Sequence, residues 1–383
     1  MQKFDIAIIG AGVVGAGIAY HLTHMGAANI VLLEKETHPG SGSTARANGG
    51  IRAQFTTDIN IRMSLLSMRI LDELAADIGE PPVYIKAGYL FLTANPEKLK
   101  AMQEAVDFQK SRGVDVELLD NAGVQQLVPY VHTDDVLGGT FGSRDGFIDP
   151  GGLCNWLLRR STAAGVKLLT ETEVTAIRRH GNSWRLTTTN EDFVADSVVN
   201  CAGPYARDIA ALVGIDLPVY PVRRHLFVSG STDAMPPLIP MVIDADTGVL
   251  IRREGPAALI AYSNADEPRG FNEKFDQEFI FRFADAFEHR FPIVADAGIN
   301  FGRSWMGHYA VSPDHHAVLG PVPGAPGFHL ACGFSGHGVM HAPATGRCMA
   351  ELLLNGASTS VDTEQLSVER FASGSLIHET MVL

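Results

Sequence analysis

At 383 residues the chain is too long for a single small core and reads as two interleaved or consecutive domains. Hydrophobic residues are 46% of it and charged residues 19%, which excludes disorder as the state of the bulk chain. A formal net charge of -13 repels phosphate backbones, excluding nucleic acid and anionic membrane surfaces as general partners and leaving an anionic small molecule in need of a local cationic pocket.

Residues 4–9 predict a strand, 13–25 a helix and 30–34 a second strand, a βαβ unit. The uncharged run 6–20 is short for a membrane span, and Asp5 precedes it where a signal peptide carries basic residues. No other stretch is long and apolar enough to cross a bilayer. After a small-residue loop at 38–50, residues 57–78 carry Ile61, Leu65, Met68, Leu71 and Leu74 at helical spacing, with an end near Gly79 ahead of Pro81 and Pro82. A strand over 84–93, a helix over 96–111 and a strand over 114–119 begin a second domain. Asp149-Pro150-Gly151 caps a helix through 164, and strands over 166–169, 173–178, 184–189 and 193–200 imply a β-meander. Short strands over 217–253, a helix over 276–290 and a strand over 301–311 complete the second domain. A strand over 328–332, a glycine turn and a helix over 341–354 close the pattern, without solenoid repeats or low-complexity linkers.

The chemistry begins at Gly10-Ala11-Gly12-Val13-Val14-Gly15, between a strand and a helix, with Glu34 ending the next strand. The first glycine permits the tight turn, the second removes a side chain where a pyrophosphate approaches, and the third lets helix and strand pack closely. Backbone N–H groups and the positive helix end then face the phosphates. Glu34 accepts from adenosine ribose hydroxyls and disfavours a phosphorylated ribose. NAD and FAD share this fingerprint. Further small-residue turns at Ser41-Gly42-Ser43-Thr44 with Arg46, Asn48, Gly49 and Gly50, at Val199-Asn200-Cys201-Ala202-Gly203, and at Gly333-Phe334-Ser335-Gly336-His337-Gly338 suit an extended cofactor such as FAD. The scattered Cys154, Cys201, Cys332 and Cys348 suggest buried reduced thiols in a cytoplasmic protein. His315 and His316, on opposite faces of a strand, make a poor metal pair, and no metal is expected.

On these motifs, with Ile51-Arg52, Ser312-Pro313-Asp314 and Ala342-Pro343, the chain resembles the D-amino-acid-oxidase superfamily of flavoenzymes over nearly its whole length. The likeness is strongest to the branch of sarcosine oxidase beta subunits, glycine oxidases and proline dehydrogenases. It implies an α/β (α+β) fold in which a Rossmann-like FAD-binding domain (1–80, 143–215 and 315–383) is interleaved with a mixed, largely antiparallel substrate domain (81–142 and 216–314). The expected cofactor contacts are Gly10, Gly12, Val14, Gly15, Glu34 and Lys35; Ser41, Ser43, Thr44, Arg46, Asn48, Gly49 and Gly50; Val174, Cys201, Ala202 and Gly203; and Gly333, Ser335, Gly336, His337, Gly338, Val339 and Met340.

The implied reaction is oxidation of the C–N bond of a small amino acid or N-methyl amine by hydride transfer to the flavin, the imine then hydrolysing. Arg52 is placed to clamp a substrate carboxylate, an ion-pairing arginine being the alternative. Tyr309 is placed over the flavin, an ordinary strand tyrosine being the alternative, and His225 is a weaker candidate. Relatives tether the flavin through a cysteine where Gly307 stands, or a histidine where Arg46 stands, so FAD is expected to be non-covalent. Met340 stands where some of these oxidases carry a carboxylate-gripping lysine, so carboxylate binding rests more heavily on Arg52 or the substrate differs; residues 257–262 lack an oxygen-activating lysine, which favours a dehydrogenase over an oxidase. The partners implied are an amine or amino-acid substrate and dioxygen or another electron acceptor, with hetero- or homo-oligomers both open. Residues 358–383 read as a docking arm or a surface wrap. The alternatives are a 2-hydroxy-acid or glycerol-phosphate dehydrogenase on the same fold, and a non-catalytic flavoprotein that serves assembly. An NAD-dependent reading lacks a nicotinamide site.

Overall fold

The strand Gln2–Ile9 ends in four consecutive buried residues, as a strand covered on both faces requires. In the computed structural model, which describes residues 1–77, 84–264 and 266–380, this strand is central to an eight-stranded sheet. It pairs in parallel with Ile30–Leu33 on one side and Phe193–Asn200 on the other. Ile6 and Ile8 face one core while Ala7 and Ile9 face another. The first core is closed by the helices Val13–His24, Pro150–Ala163 and Gly338–Asn355, the first and last of which touch through glycines. A Cβ on Gly346 would lie 2.5 Å from the Gly17 carbonyl oxygen.

The second large sheet runs in the order Trp305–Val311, Tyr220–Val228, Ala257–Tyr262, Val249–Glu254, Met241–Asp244, Tyr89–Thr93, Gly138–Gly142, Glu117–Asp120. Its pairings are antiparallel except that of Met241–Asp244 with Tyr89–Thr93. Phe227, Phe279, Phe283, Phe287 and Phe291 pack a core against one face. A small sheet of Gly50–Ile51, Gly146–Ile148 and Tyr84–Ile85 lies apart from these two.

Several expected elements are divided or displaced. The strand expected over 84–93 is two strands in different sheets, broken where Gly88 takes φ +88° and a Cβ would meet the Phe141 ring at 2.3 Å. The strand expected over 114–119 is Glu117–Asp120. The meander contains three strands; the fourth, Lys167–Leu169, instead pairs in parallel with Ile30–Leu33. The helix expected over 276–290 is a 3-10 turn, Gln277–Arg282, and a helix, Ala284–Arg290, parted at Phe283. The strand expected over 301–311 starts at Trp305 after a 3-10 turn. The final helix starts at Gly338, because the glycine turn runs straight into it. His315 and His316 lie in a turn, His315 at φ 59°, so strand alternation does not separate them. The helix end expected near Gly79 lies outside the described residues. Among the described residues no helix is long and apolar enough to cross a membrane.

Candidate active site

A cavity of about 900 Å³ opens where Ile9, Leu33 and Asn200 end their parallel strands, the position at which such sheets take ligands. This is at the upper end of the roughly 300–1,000 Å³ of small-molecule sites. Its far wall is the inner face of the second sheet. Every residue expected to contact the cofactor borders it except Gly15 and Gly333. Gly15 packs the helix on the turn, where a Cβ would lie 2.0 Å from the Gly10 carbonyl oxygen. Gly333 packs between Val219 and Val318.

The remaining glycines make a cradle. Gly10 holds φ +103°, and a Cβ there would lie 2.6 Å from the Cys201 carbonyl oxygen. Around Gly12 only Thr44 Oγ1 comes within 4 Å of such a Cβ, at 3.3 Å, so its missing side chain leaves open space at the cavity. Thr44 Oγ1 accepts from the Val13 N–H at 3.0 Å, and Glu34 Oε2 accepts from the Ala11 N–H at 2.9 Å. These contacts hold the turn, the acid and the small-residue loop together in a form that fits an adenine dinucleotide.

The 41–50 loop is pinned to the second sheet. Ser43 Oγ donates to the His308 carbonyl at 2.7 Å, Trp305 Nε1 to the Arg46 carbonyl at 3.1 Å, and Arg252 Nε to the Asn48 carbonyl at 2.7 Å. A Cβ on Gly307 would lie 2.8 Å from Arg46 Cβ. Arg46 therefore takes the space that a side chain at position 307 would need.

Strand register decides which side chains face inward. Arg224 pairs with Gly307, Val222 with Tyr309, Leu226 with Ala261, and Ala261 with Leu250. Paired residues share a face, which puts Arg224, Leu226, Ala261 and Leu250 beside Tyr309 on the cavity wall, with Met241 and Tyr89 further along. The Tyr309 ring covers Gly336, whose Cβ would come within 2.6 Å of it. His225 borders the cavity, but its ring stacks on Phe279 at 4.5 Å and its Nε2 accepts from the Asp276 N–H at 3.1 Å. Burial lowers it to about 4, leaving a neutral ring committed to packing. Arg224, which sequence reasoning did not single out, takes the inward place.

Among the described residues Arg52 is the largest fully buried side chain, 1% exposed, and it borders the cavity just past the Gly50–Ile51 strand. Its guanidinium lies 3.8 Å from the centre of the Phe55 ring and donates to the Gln54 carbonyl. Burial lowers its pKa, while Glu379, Tyr89 and Asp145 act against that shift. Holding a cation in such a place costs several kcal/mol unless partners offset it.

Asp145, 2% exposed, accepts from the Ala53 N–H at 2.8 Å and from Gln54 Nε2 at 2.9 Å. Burial pushes it up from 3.8 to about 7. A carboxyl raised in the folded state contributes stability that is complete below its unfolded value and is lost as pH rises through 7. Asp145→Asn is therefore expected to melt higher than the wild type at pH 8, by a few degrees, and to lose that margin as the pH falls toward 4. Parallel melting profiles from pH 4 to 8 would contradict this.

His337 and His341 flank Phe55 at 5.1 and 5.7 Å between ring centres, and burial, reinforced by Arg52, holds both rings neutral. Ser335, at φ 52°, accepts from the Ser312 N–H at 3.1 Å through its hydroxyl oxygen. Away from the cavity, His132, Asp135 and His289 bring ligand atoms within 4.8 Å of one another. Arg290 already occupies both oxygens of Asp135, at 2.8 and 3.0 Å.

Comparison with known proteins places this geometry. The family model described as FAD dependent oxidoreductase, DAO, matches residues 5–352. FAD-dependent oxidoreductase domain-containing protein 1 of Xenopus laevis is 28% identical over 97% of this chain and 83% of its own length. Mitochondrial sarcosine dehydrogenase of Homo sapiens is 26% identical over 96% of this chain, which spans 41% of that protein. The crystal structure of L-proline dehydrogenase from P. horikoshii superposes with a TM-score of 0.92 at 28% identity, covering 98% of this chain and 100% of that one.

Proposed function

The chain belongs to the DAO family of FAD-dependent oxidoreductases, and from that premise we propose that it oxidises the C–N bond of a small carboxylated amine of the sarcosine, glycine or proline type. The observation that carries this reading is Arg52, a buried guanidinium at the wall of the cofactor cavity beside Tyr309. FAD, held without a covalent tether by the Gly10–Gly15 turn, Glu34, the 41–50 loop, Cys201 to Gly203 and Ser335 to Met340, supplies the two-electron acceptor. Arg52 clamps the substrate carboxylate through paired N–H donors. The Tyr309 hydroxyl supplies an orienting hydrogen bond. Leu226, Met241, Leu250 and Ala261 take the hydrocarbon part and exclude water. The amine reacts in its unprotonated form, and the released imine hydrolyses in water. In the same reading, residues 1–80, 143–215 and 315–383 carry the cofactor and 81–142 and 216–314 the substrate, which the division of strands between the two large sheets supports.

An acceptor other than dioxygen is favoured. Ala257–Tyr262 borders the cavity through Ala261 and Tyr262 and contains no lysine. Among the described residues bordering the cavity the only lysine is Lys35, whose ammonium lies 3.4 Å over the Tyr205 ring. Product analysis with sarcosine, glycine, proline, 2-hydroxy acids and glycerol phosphate, under air and with an artificial acceptor, tests both points. Turnover of an amine, faster with the artificial acceptor, is expected. Turnover confined to the hydroxy compounds would overturn the substrate class, and faster turnover in air would overturn the acceptor.

A further inference from the structure

Past the helix Gly338–Asn355 the chain folds back across its own surface as a strap. Glu351 accepts from the Thr359 and Ser360 N–H groups at 2.7 and 2.8 Å and so starts its path. Arg370, on the short helix Glu369–Ser373, makes a buried two-point ion pair with Asp314 at 2.7 and 3.0 Å. The Ile377 N–H donates to the same carboxylate at 3.3 Å.

Two residues further, Glu379 meets the start of the helix Asp58–Asp77. Its Oε1 accepts from the Thr56 N–H at 2.9 Å and from the Thr56 hydroxyl, and its Oε2 accepts from the Thr57 hydroxyl at 2.8 Å and from Asn60 Nδ2 at 3.3 Å. Thr57 and Asn60 also meet His316 Nε2 at 3.1 and 3.2 Å. Neither Glu379 nor its anchors border the cavity. Phe55, which carries the Arg52 guanidinium on its ring, directly precedes Thr56.

Among the described residues, the carboxylates of Glu379 and Asp145 both act on Arg52 against the effect of its burial, Glu379 the more strongly. Asp145, raised to about 7, carries only part of a charge at neutral pH. The strap therefore supplies a counter-charge to the buried guanidinium from outside the cavity.

We propose that Glu379 is a positioning residue: the strap sets its carboxylate behind Arg52 as the counter-charge that keeps the guanidinium aligned at the cavity wall for the substrate carboxylate. This rests on the reading of Arg52 as the carboxylate-binding group. It also gives the segment after the last long helix a function within its own chain.

The test uses the FAD-loaded full chain, titrated with acetate while the visible flavin band is followed. Glu379→Gln, nearly isosteric and able to keep the Thr56 contact, is expected to retain FAD, to weaken acetate binding about tenfold or more, and to raise KM for the amine more than it lowers kcat. Glu379→Asp is expected to restore part of the affinity. Thr57→Val, which removes an anchor but no charge, is expected to change affinity by less than about threefold. Acetate binding by Glu379→Gln within about twofold of the wild type would overturn the role of Glu379 and leave that of Arg52 standing. Should Glu379→Gln fail to fold, wild-type acetate affinity in Glu379→Asp overturns it equally. Absence of any acetate effect on the wild-type band would overturn the Arg52 reading itself, and this inference with it.

Discussion

Arg52→Met is expected to lower kcat/KM for a carboxylated amine by about a thousandfold while the protein keeps its FAD. Removing one partner of a buried, hydrogen-bonded charge pair typically costs about 2–5 kcal/mol, and here the guanidinium is removed and the substrate carboxylate is left unpaired. The fold has less to lose. Methionine fits between Phe55 and Phe91, whose rings lie 3.8 and 5.6 Å from the guanidinium, and Glu379 keeps its donors on Thr56, Thr57 and Asn60. Arg52→Lys is expected to recover only part of the activity, since an ammonium lacks the planar fork that pairs with both carboxylate oxygens. Steady-state kinetics with flavin absorbance as the loading control decides the point. A loss below about tenfold would mean that the carboxylate is bound elsewhere.

The second large effect separates two glycines three residues apart. Gly15→Ala is expected to prevent correct folding, because its methyl would lie 2.0 Å from the Gly10 carbonyl oxygen and backbone there has nowhere to move. Overpacking of this kind costs about 3 kcal/mol or more. Gly12→Ala meets only Thr44 Oγ1, at 3.3 Å, so the fold is expected to survive. Its methyl instead enters space at the cavity where the fingerprint brings a pyrophosphate against bare backbone, and FAD affinity is expected to fall about a hundredfold. Melting temperature and bound flavin, measured together, separate the outcomes. A Gly12→Ala protein with full FAD would contradict the cradle.

What was legible from the chain alone follows from how local each signal is. Pro96–Ser111 is helical over the expected residues because its determinants adjoin it: Asn95 accepts from the Glu97 and Lys98 N–H groups, and proline opens the first turn. The cofactor turn was legible for the same reason, its glycine spacing being set by one strand and one helix. Face assignment on the second sheet was not. Alternation identifies two faces, but only the pairing of 220–228 with 305–311 shows that Arg224, and not His225, shares a face with Tyr309. The break at Phe283 was also hidden, because Phe279, Phe283 and Phe287 keep a four-residue spacing through it and enter one core. Glu379 had no local signal, as its partner Thr56 is 323 residues away.

The central claim is that a carboxylated amine is oxidised at the cavity bordered by Arg52 and Tyr309, and anaerobic mixing tests it most directly. Purified FAD-loaded protein is mixed without oxygen with sarcosine, glycine or proline while the visible flavin band is recorded. Bleaching by at least one of these amines, lost in Arg52→Met, is predicted. A band unchanged by every amine yet bleached by a 2-hydroxy acid or glycerol phosphate would contradict the account.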